Sequence, residues 1–95
     1  MVVSMIQVVF ELPDASSLKD KRQTLRSLKD RLMKKYRVSV AEVDLQDSLS
    51  FCHIGAAYVT NSKELGEKVM QRVADFIEET IPGRVHHITV HTERF

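Results

Sequence analysis

The sequence predicts an α+β fold: a four-stranded antiparallel sheet with two helices on one face, in the order βαββαβ. Three observations predict it. The opening stretch alternates apolar and polar residues with the period of a strand. Two later segments carry apolar residues at helical spacing behind good N-cap residues. The remaining segments are short β-rich runs bounded by turn residues.

The first strand covers Met1 to Leu12. Val2, Ile6, Val8, Phe10 and Leu12 share one face, interrupted by Ser4. Val3, Met5, Gln7, Val9 and Glu11 share the other, which is more apolar than a solvated face needs to be. Pro13 and Asp14 end the strand. Ser17 then caps a helix, its hydroxyl accepting from the backbone N–H of Asp20, whose carboxylate suits the first turn. Leu18, Leu25, Leu28, Leu32 and Tyr36 fall in one arc of this helix, with Met33 at its edge.

A second strand runs over residues 37–43, followed by a polar loop from Asp44 to Ser50. Phe51 to Thr60 forms the third strand, with small residues at Gly55, Ala56 and Ala57 that permit close approach. Asn61 and Glu64 match the N-x-x-E capping box and open a second helix. That helix places Leu65, Val69, Val73, Phe76 and Ile77 on one side and stops at Ile81-Pro82-Gly83. Gly66 lowers its intrinsic helicity by up to ~1 kcal/mol relative to Ala. The last strand, Val85 to Phe95, has Ile88 and Val90 on one face and His87, Thr89, His91 and Glu93 on the other. Two right-handed βαβ crossovers place the last strand beside the first and the third on its other side, the ferredoxin-like sandwich. Residues 1–95 read as one such domain.

Composition narrows the function classes. The single cysteine, Cys52, excludes an internal disulfide and fits a reducing compartment. No apolar run approaches the ~20 residues of a membrane helix, and the N-terminus lacks signal-peptide features, so the expectation is a cytoplasmic protein without membrane contact. Three scattered glycines, Gly55, Gly66 and Gly83, supply no phosphate-binding loop. The segment Pro13-Asp14-Ala15-Ser16-Ser17 likewise lacks the glycine-rich anion loop that acylphosphatases of this fold place after the first strand.

No metal site, cofactor or catalytic residue emerges. His86 and His87 are neighbours on a strand and should face opposite ways. His87 and His91 share a face but lie about 13 Å apart, too far for one metal. The first strand separates His53 from all three. Cys52 and His53 also alternate, which rules out a thiol–imidazole pair and leaves a buried structural cysteine. Glu42, Asp44 and Asp47 gather near the second strand's end, where acids ordinarily solvate a loop or form Asx turns.

The charge layout is the strongest functional signal. Leu18 to Arg37 carries nine basic and two acidic residues, 9 − 2 = +7, while the rest carries five basic and eleven acidic, 5 − 11 = −6. The pairs Arg26–Asp30 and Asp30–Lys34 are expected to absorb part of this, as are contacts with the acidic second helix. A stripe remains: Lys19, Arg22, Arg26 and Lys29 along one edge of the apolar arc, with Lys21 flanking the other. Such a stripe fits phosphate contact with RNA. The sheet's open face lacks the paired aromatics of an RNA-recognition motif, because Phe51 and Tyr58 lie on opposite faces. Val3, Met5 and Val9 read instead as a subunit interface, making a homo-oligomer through the open face the expectation.

Ser17-Leu18-Lys19-Asp20-Lys21-Arg22, then Leu25 to Arg31, Val38-Ser39-Val40-Ala41-Glu42-Val43 and Val59-Thr60-Asn61-Ser62 together resemble the bacterial YlxP-like family. The resemblance spans nearly the whole chain. It implies a ferredoxin-like fold and a domain of unknown function. It also implies gene neighbours such as translation initiation factors and ribosome-binding factor A, and it offers no active site to transfer. The combined expectation is a non-enzymatic, cofactor-free module associated with ribosomal RNA or the ribosome. The alternative is a small-molecule-binding regulatory domain of the ACT type.

Overall fold

A computed structural model describes residues 1–95. The elements are β1 (Val2–Glu11), α1 (Leu18–Tyr36), β2 (Ser39–Asp44), β3 (Phe51–Thr60), α2 (Lys63–Thr80) and β4 (Val85–Arg94). They form one antiparallel sheet in the order β2-β3-β1-β4, as the crossover rule requires. α1 lies over β2, and α2 lies over β1, β4 and β3. Both helices cover the same sheet face.

The alternation in β1 sets the layers. Val2, Ser4, Ile6, Val8 and Phe10 are buried beneath the helices, while Met5 and Gln7 are exposed on the other face. From β3 come Cys52, Ile54 and Ala56, and from α1 Leu25, Leu28 and Leu32. α2 contributes Val69, Met70, Val73, Ala74, Phe76 and Ile77. Burying such side chains stabilises the fold by roughly 1.5–3 kcal/mol each for the larger ones.

Ser4 interrupts the apolar face for a reason of space. Its hydroxyl lies 2.8 Å from Thr92 Oγ1, which satisfies it in the core, and it sits directly beneath Gly66 of α2. A Cβ on Gly66 would overlap Ser4 Oγ and stand 3.4 Å from Thr60 Cγ2. The residue that weakens the helix is the one that lets it dock.

α1 starts as the cap pattern predicts, with Asp20 N–H donating to Ser17 Oγ at 3.1 Å. It ends at Arg37, held in the left-handed region at φ 56°, with its N–H on Met33 O. In α2 the predicted cap is displaced by one residue: Ser62, not Asn61, accepts from Leu65 N–H. Leu65 lies at the edge of the buried arc of α2 and is exposed, and Met70 and Ala74 fill the core with Val69, Val73 and Ile77. β2 reaches Asp44 through a register shift between Glu42 and Asp44.

The expected ion pairing on α1 does not form. Neither Arg26–Asp30 nor Asp30–Lys34 closes within 4.0 Å, and no ion pair joins α1 to α2. Two of the acids of α2 pair within their own helix, as Glu64–Lys68 and Glu67–Lys63. Two cations of α1 touch α2 through an aromatic ring: Arg31 and Lys35 each lie 5.0 Å from the Phe76 centroid.

Candidate nucleic-acid interface

The stripe residues Lys19, Arg22 and Arg26 are exposed and Lys29 is half-buried. Helical spacing puts Arg22, Arg26 and Lys29 on the edge of α1 that faces β2. There they line a groove of about 240 Å³ with Leu25 and Glu42. None of the four cations has a carboxylate within ion-pair distance.

Lys21 corrects the expectation. It is 1% exposed and cannot reach a phosphate. Its ammonium donates to the carbonyls of Leu45 at 2.7 Å and Ser48 at 2.6 Å, and pairs with Glu42 Oε2 at 3.4 Å. The helical wheel carries the signal for this. At about 100° per residue Lys21 falls between Leu28 and Leu32, inside the apolar arc and not at its flank. Its long apolar stem crosses the core edge and its head finds oxygen beyond it.

This internal pair shapes the groove's electrostatics. Glu42 is the one acid that lines the groove, and its ion pair is with Lys21. Lys21 holds it from below, and the guanidinium groups of Arg22 and Arg26 with the ammonium of Lys29 remain uncompensated at the rim. Of the other loop acids, Asp44 accepts from the N–H of the next residue, Leu45, at 2.8 Å, which is one residue short of the bond that defines an Asx turn, and Leu45 takes φ 60° there. Asp47 is exposed and makes no ion pair.

On the open sheet face Met5 is exposed, and Val3 and Val9 are half-buried. Exposed Val43, Phe51 and Val59 extend the apolar surface on β2 and β3. A shallow hollow of about 450 Å³ sits above Gly55, Ala41 and Ala57, walled by Met5, Gln7 and Val43. Phe51 lies on this face and Tyr58 on the covered one, so no aromatic pair is presented.

The histidines need one correction. The β1–β4 register shifts between Val9 and Phe10, where His87 pairs with Val9 and Val85 with Phe10. The extra residue, His86, therefore does not turn to the helices. Its ring lies 5.4 Å from Phe51 and its Nε2 3.0 Å from Glu11 Oε1, both open-face residues. A bulge cancels alternation locally, and nothing in the side-chain pattern announces it. His53 lies 2.9 Å from Gln7 Oε1, His87 3.0 Å from Thr89 Oγ1 and His91 3.2 Å from Glu93 Oε1. No group of three metal-binding side chains converges.

Cys52 lies on the covered face, fully buried, with its thiol pushed up to about 11. Burial is the main cause, opposed by the charge of Lys21 and reinforced by Glu42. The thiolate is the reactive form, so the native protein should leave Ellman's reagent unreacted over hours at about pH 8. Unfolding in urea should release one reactive thiol at once. Rapid native-state labelling would contradict this burial.

Fold and site together define a ferredoxin-like α/β sandwich with one basic helical flank and one open, partly apolar sheet face. The chain belongs to the family described as "Protein of unknown function (DUF503)", which matches residues 3–90. It is 40% identical over 65 residues to the uncharacterized protein YlxP of Bacillus subtilis (strain 168), covering 68% of this chain and 71% of that one. Among solved structures it is similar to a de novo designed protein with ferredoxin fold, at TM-score 0.58 and 14% identity, over 98% of this chain and 88% of that one. The structural-genomics protein YJCS superposes at TM-score 0.59 with 10% identity, over 94% and 96% of the two chains. These likenesses concern the fold. No helix of the chain is long and apolar enough to cross a membrane.

Proposed function

We propose that this protein is a non-enzymatic module that engages structured RNA, as in the ribosome, through phosphate contacts from Lys19, Arg22, Arg26 and Lys29. What carries the reading is the uncompensated groove between α1 and β2. Three of the four cations line it, and the one acid in it is already engaged by Lys21. Arginine forks suit phosphate oxygens bidentately, and contacts of this kind position a protein without reading sequence.

The test is binding of ribosomal RNA fragments across a salt series. The wild type should lose affinity steeply with salt, at roughly 0.7–0.9 logarithmic units per phosphate contacted. Changing Lys19, Arg22, Arg26 and Lys29 together to Glu should abolish binding and flatten the salt slope, with the circular-dichroism spectrum retained. Equal affinity and equal salt slope in the folded variant would sink the reading.

A second reading rests on the hollow above Gly55, Ala41 and Ala57. Its size is in the range of small-ligand sites, and it supports a regulatory domain that binds an apolar metabolite on the open face, with or between subunits. Gly55→Leu would fill it, since a Cβ there already stands 3.1 Å from Val43 Cγ1. A metabolite that raises Tm for the wild type and not for Gly55→Leu would favour this reading over the RNA one.

A further inference from the structure

We infer that β4 is the edge through which two copies of this chain pair, antiparallel and about a two-fold axis at Val90, joining their sheets into one. The two edges of the sheet are not alike. β2 is six residues long, carries a register shift and points Glu42 inward. Those are devices that protect an edge from pairing. β4 is ten residues long, has no proline or lysine, and is regular from His87 to Arg94. Along that stretch it has no bulge, and its only Asp, Glu, Lys or Arg side chains, Glu93 and Arg94, stand at its C-terminal end.

The phase of the free edge can be read from the chain ends. Phe95 N–H donates to Met1 O at 2.7 Å and Met1 N lies 3.1 Å from Phe95 O. Hydrogen-bonded pairs alternate along an antiparallel ladder. Hence Glu93, His91, Thr89 and His87 turn their backbone groups toward β1. Ile88, Val90, Thr92 and Arg94 turn theirs outward, unpaired. Leu12 N–H, which donates to Ser50 O on the β3 side, fixes the same phase independently.

The side chains select a second copy as the occupant. With the axis at Val90, that residue meets its own copy, and Ile88 meets Thr92. Val90 lies on the helix-covered face yet is 48% exposed, because nothing stands beyond the edge to cover it. The second copy's Val90 would. On the open face the same register sets His87 opposite the second copy's Glu93, twice by symmetry, and Thr89 opposite His91. A polar self-match with a small apolar centre is what an isologous interface requires. About six main-chain hydrogen bonds would form across it. α1 lies over β2 at the far side of the sheet, so pairing leaves the basic stripe free, and either proposal can fail without the other.

Sedimentation of the full chain from about 10 μM to about 1 mM tests this. The expected result is a monomer–dimer equilibrium. Val90→Pro deletes one outward N–H and no bond to β1, and Val90→Lys places a charge at the axis. Both should give monomers with sheet content and cooperative melting intact. Glu93→Lys should weaken the dimer about three- to tenfold, and adding His87→Glu should recover most of that loss. A monomeric wild type throughout the range would overturn the proposal. So would a dimer that survives both Val90 variants, one lost with Met5→Lys or Val59→Lys on the open face but not with Val90→Lys, or a charge swap that recovers nothing.

Discussion

Replacing Lys21 with Met should cost about 3 kcal/mol of folding stability, the cost expected when one member of a buried ion pair is removed. Glu42 is the reason. Its side chain is 18% exposed, and its Oε2 has no hydrogen-bond partner other than the ion pair with Lys21 at 3.4 Å. Without the ammonium a carboxylate stays in a place water barely reaches. The carbonyls of Leu45 and Ser48 lose their donor as well, although the loop lies near enough to solvent for water to replace it. For a chain of this size the loss corresponds to roughly 12–24 °C in Tm. Urea unfolding of Lys21→Met, Glu42→Gln and the double variant measures it. Removing both charges should recover at least ~1 kcal/mol relative to Lys21→Met alone. An additive cycle would mean that the pair contributes nothing as a pair. Amides of residues 45–50 should also exchange faster in Lys21→Met, because the ammonium is what ties that loop to α1.

The partners of Lys21 mark the limit of what the sequence makes legible, although the helical wheel places the residue itself in the apolar arc. The element order, the strand order and most of the core follow from periodicity, because burial of one face is a strong and repeated constraint. The cap at Ser17 follows from local hydrogen bonding. Failures occur where a single long-range contact overrides a local pattern. Lys21 sits in the apolar arc because two carbonyls and a carboxylate wait across the β2–β3 connection. Ser62 displaces Asn61 because both are competent caps one residue apart, and the packing of α2 decides between them. His86 joins the open face because β4 takes in an extra residue opposite β1. The basic stripe was legible as charge. That its expected acid partners stand beyond ion-pair distance was not, since pairing between helices depends on how far apart they hold their polar faces.

The second large effect is expected at Gly66, where two energies of opposite sign compete. Alanine is the better helix former by about 0.8–1.0 kcal/mol, so propensity alone predicts that Gly66→Ala stabilises the protein. Packing predicts the reverse. The added methyl would overlap Ser4 Oγ and stand 3.2 Å from Ser4 Cβ. Ser4 cannot yield freely, because it is fully buried and its hydroxyl bonds to Thr92 at 2.8 Å. Rotating it breaks that bond, and lifting α2 opens the contact with β1. Overpacking of this kind costs about 1–3 kcal/mol, which outweighs the propensity gain. Gly66→Ala should therefore destabilise the protein by about 1 kcal/mol, and at most about 2, in urea unfolding, and Gly66→Leu by considerably more. Ser4→Ala removes the oxygen in the way. In that background Gly66→Ala should be at least ~1 kcal/mol less costly and close to neutral, because the contact with the Cβ of residue 4 at 3.2 Å remains to offset the propensity gain. The same penalty in both backgrounds would mean that the helix and strand adjust to the methyl, and that Ser4 and Gly66 are not a matched pair. The expected coupling ties the one polar residue in the buried row of β1 to the one glycine in α2: each is tolerable only because the other is there.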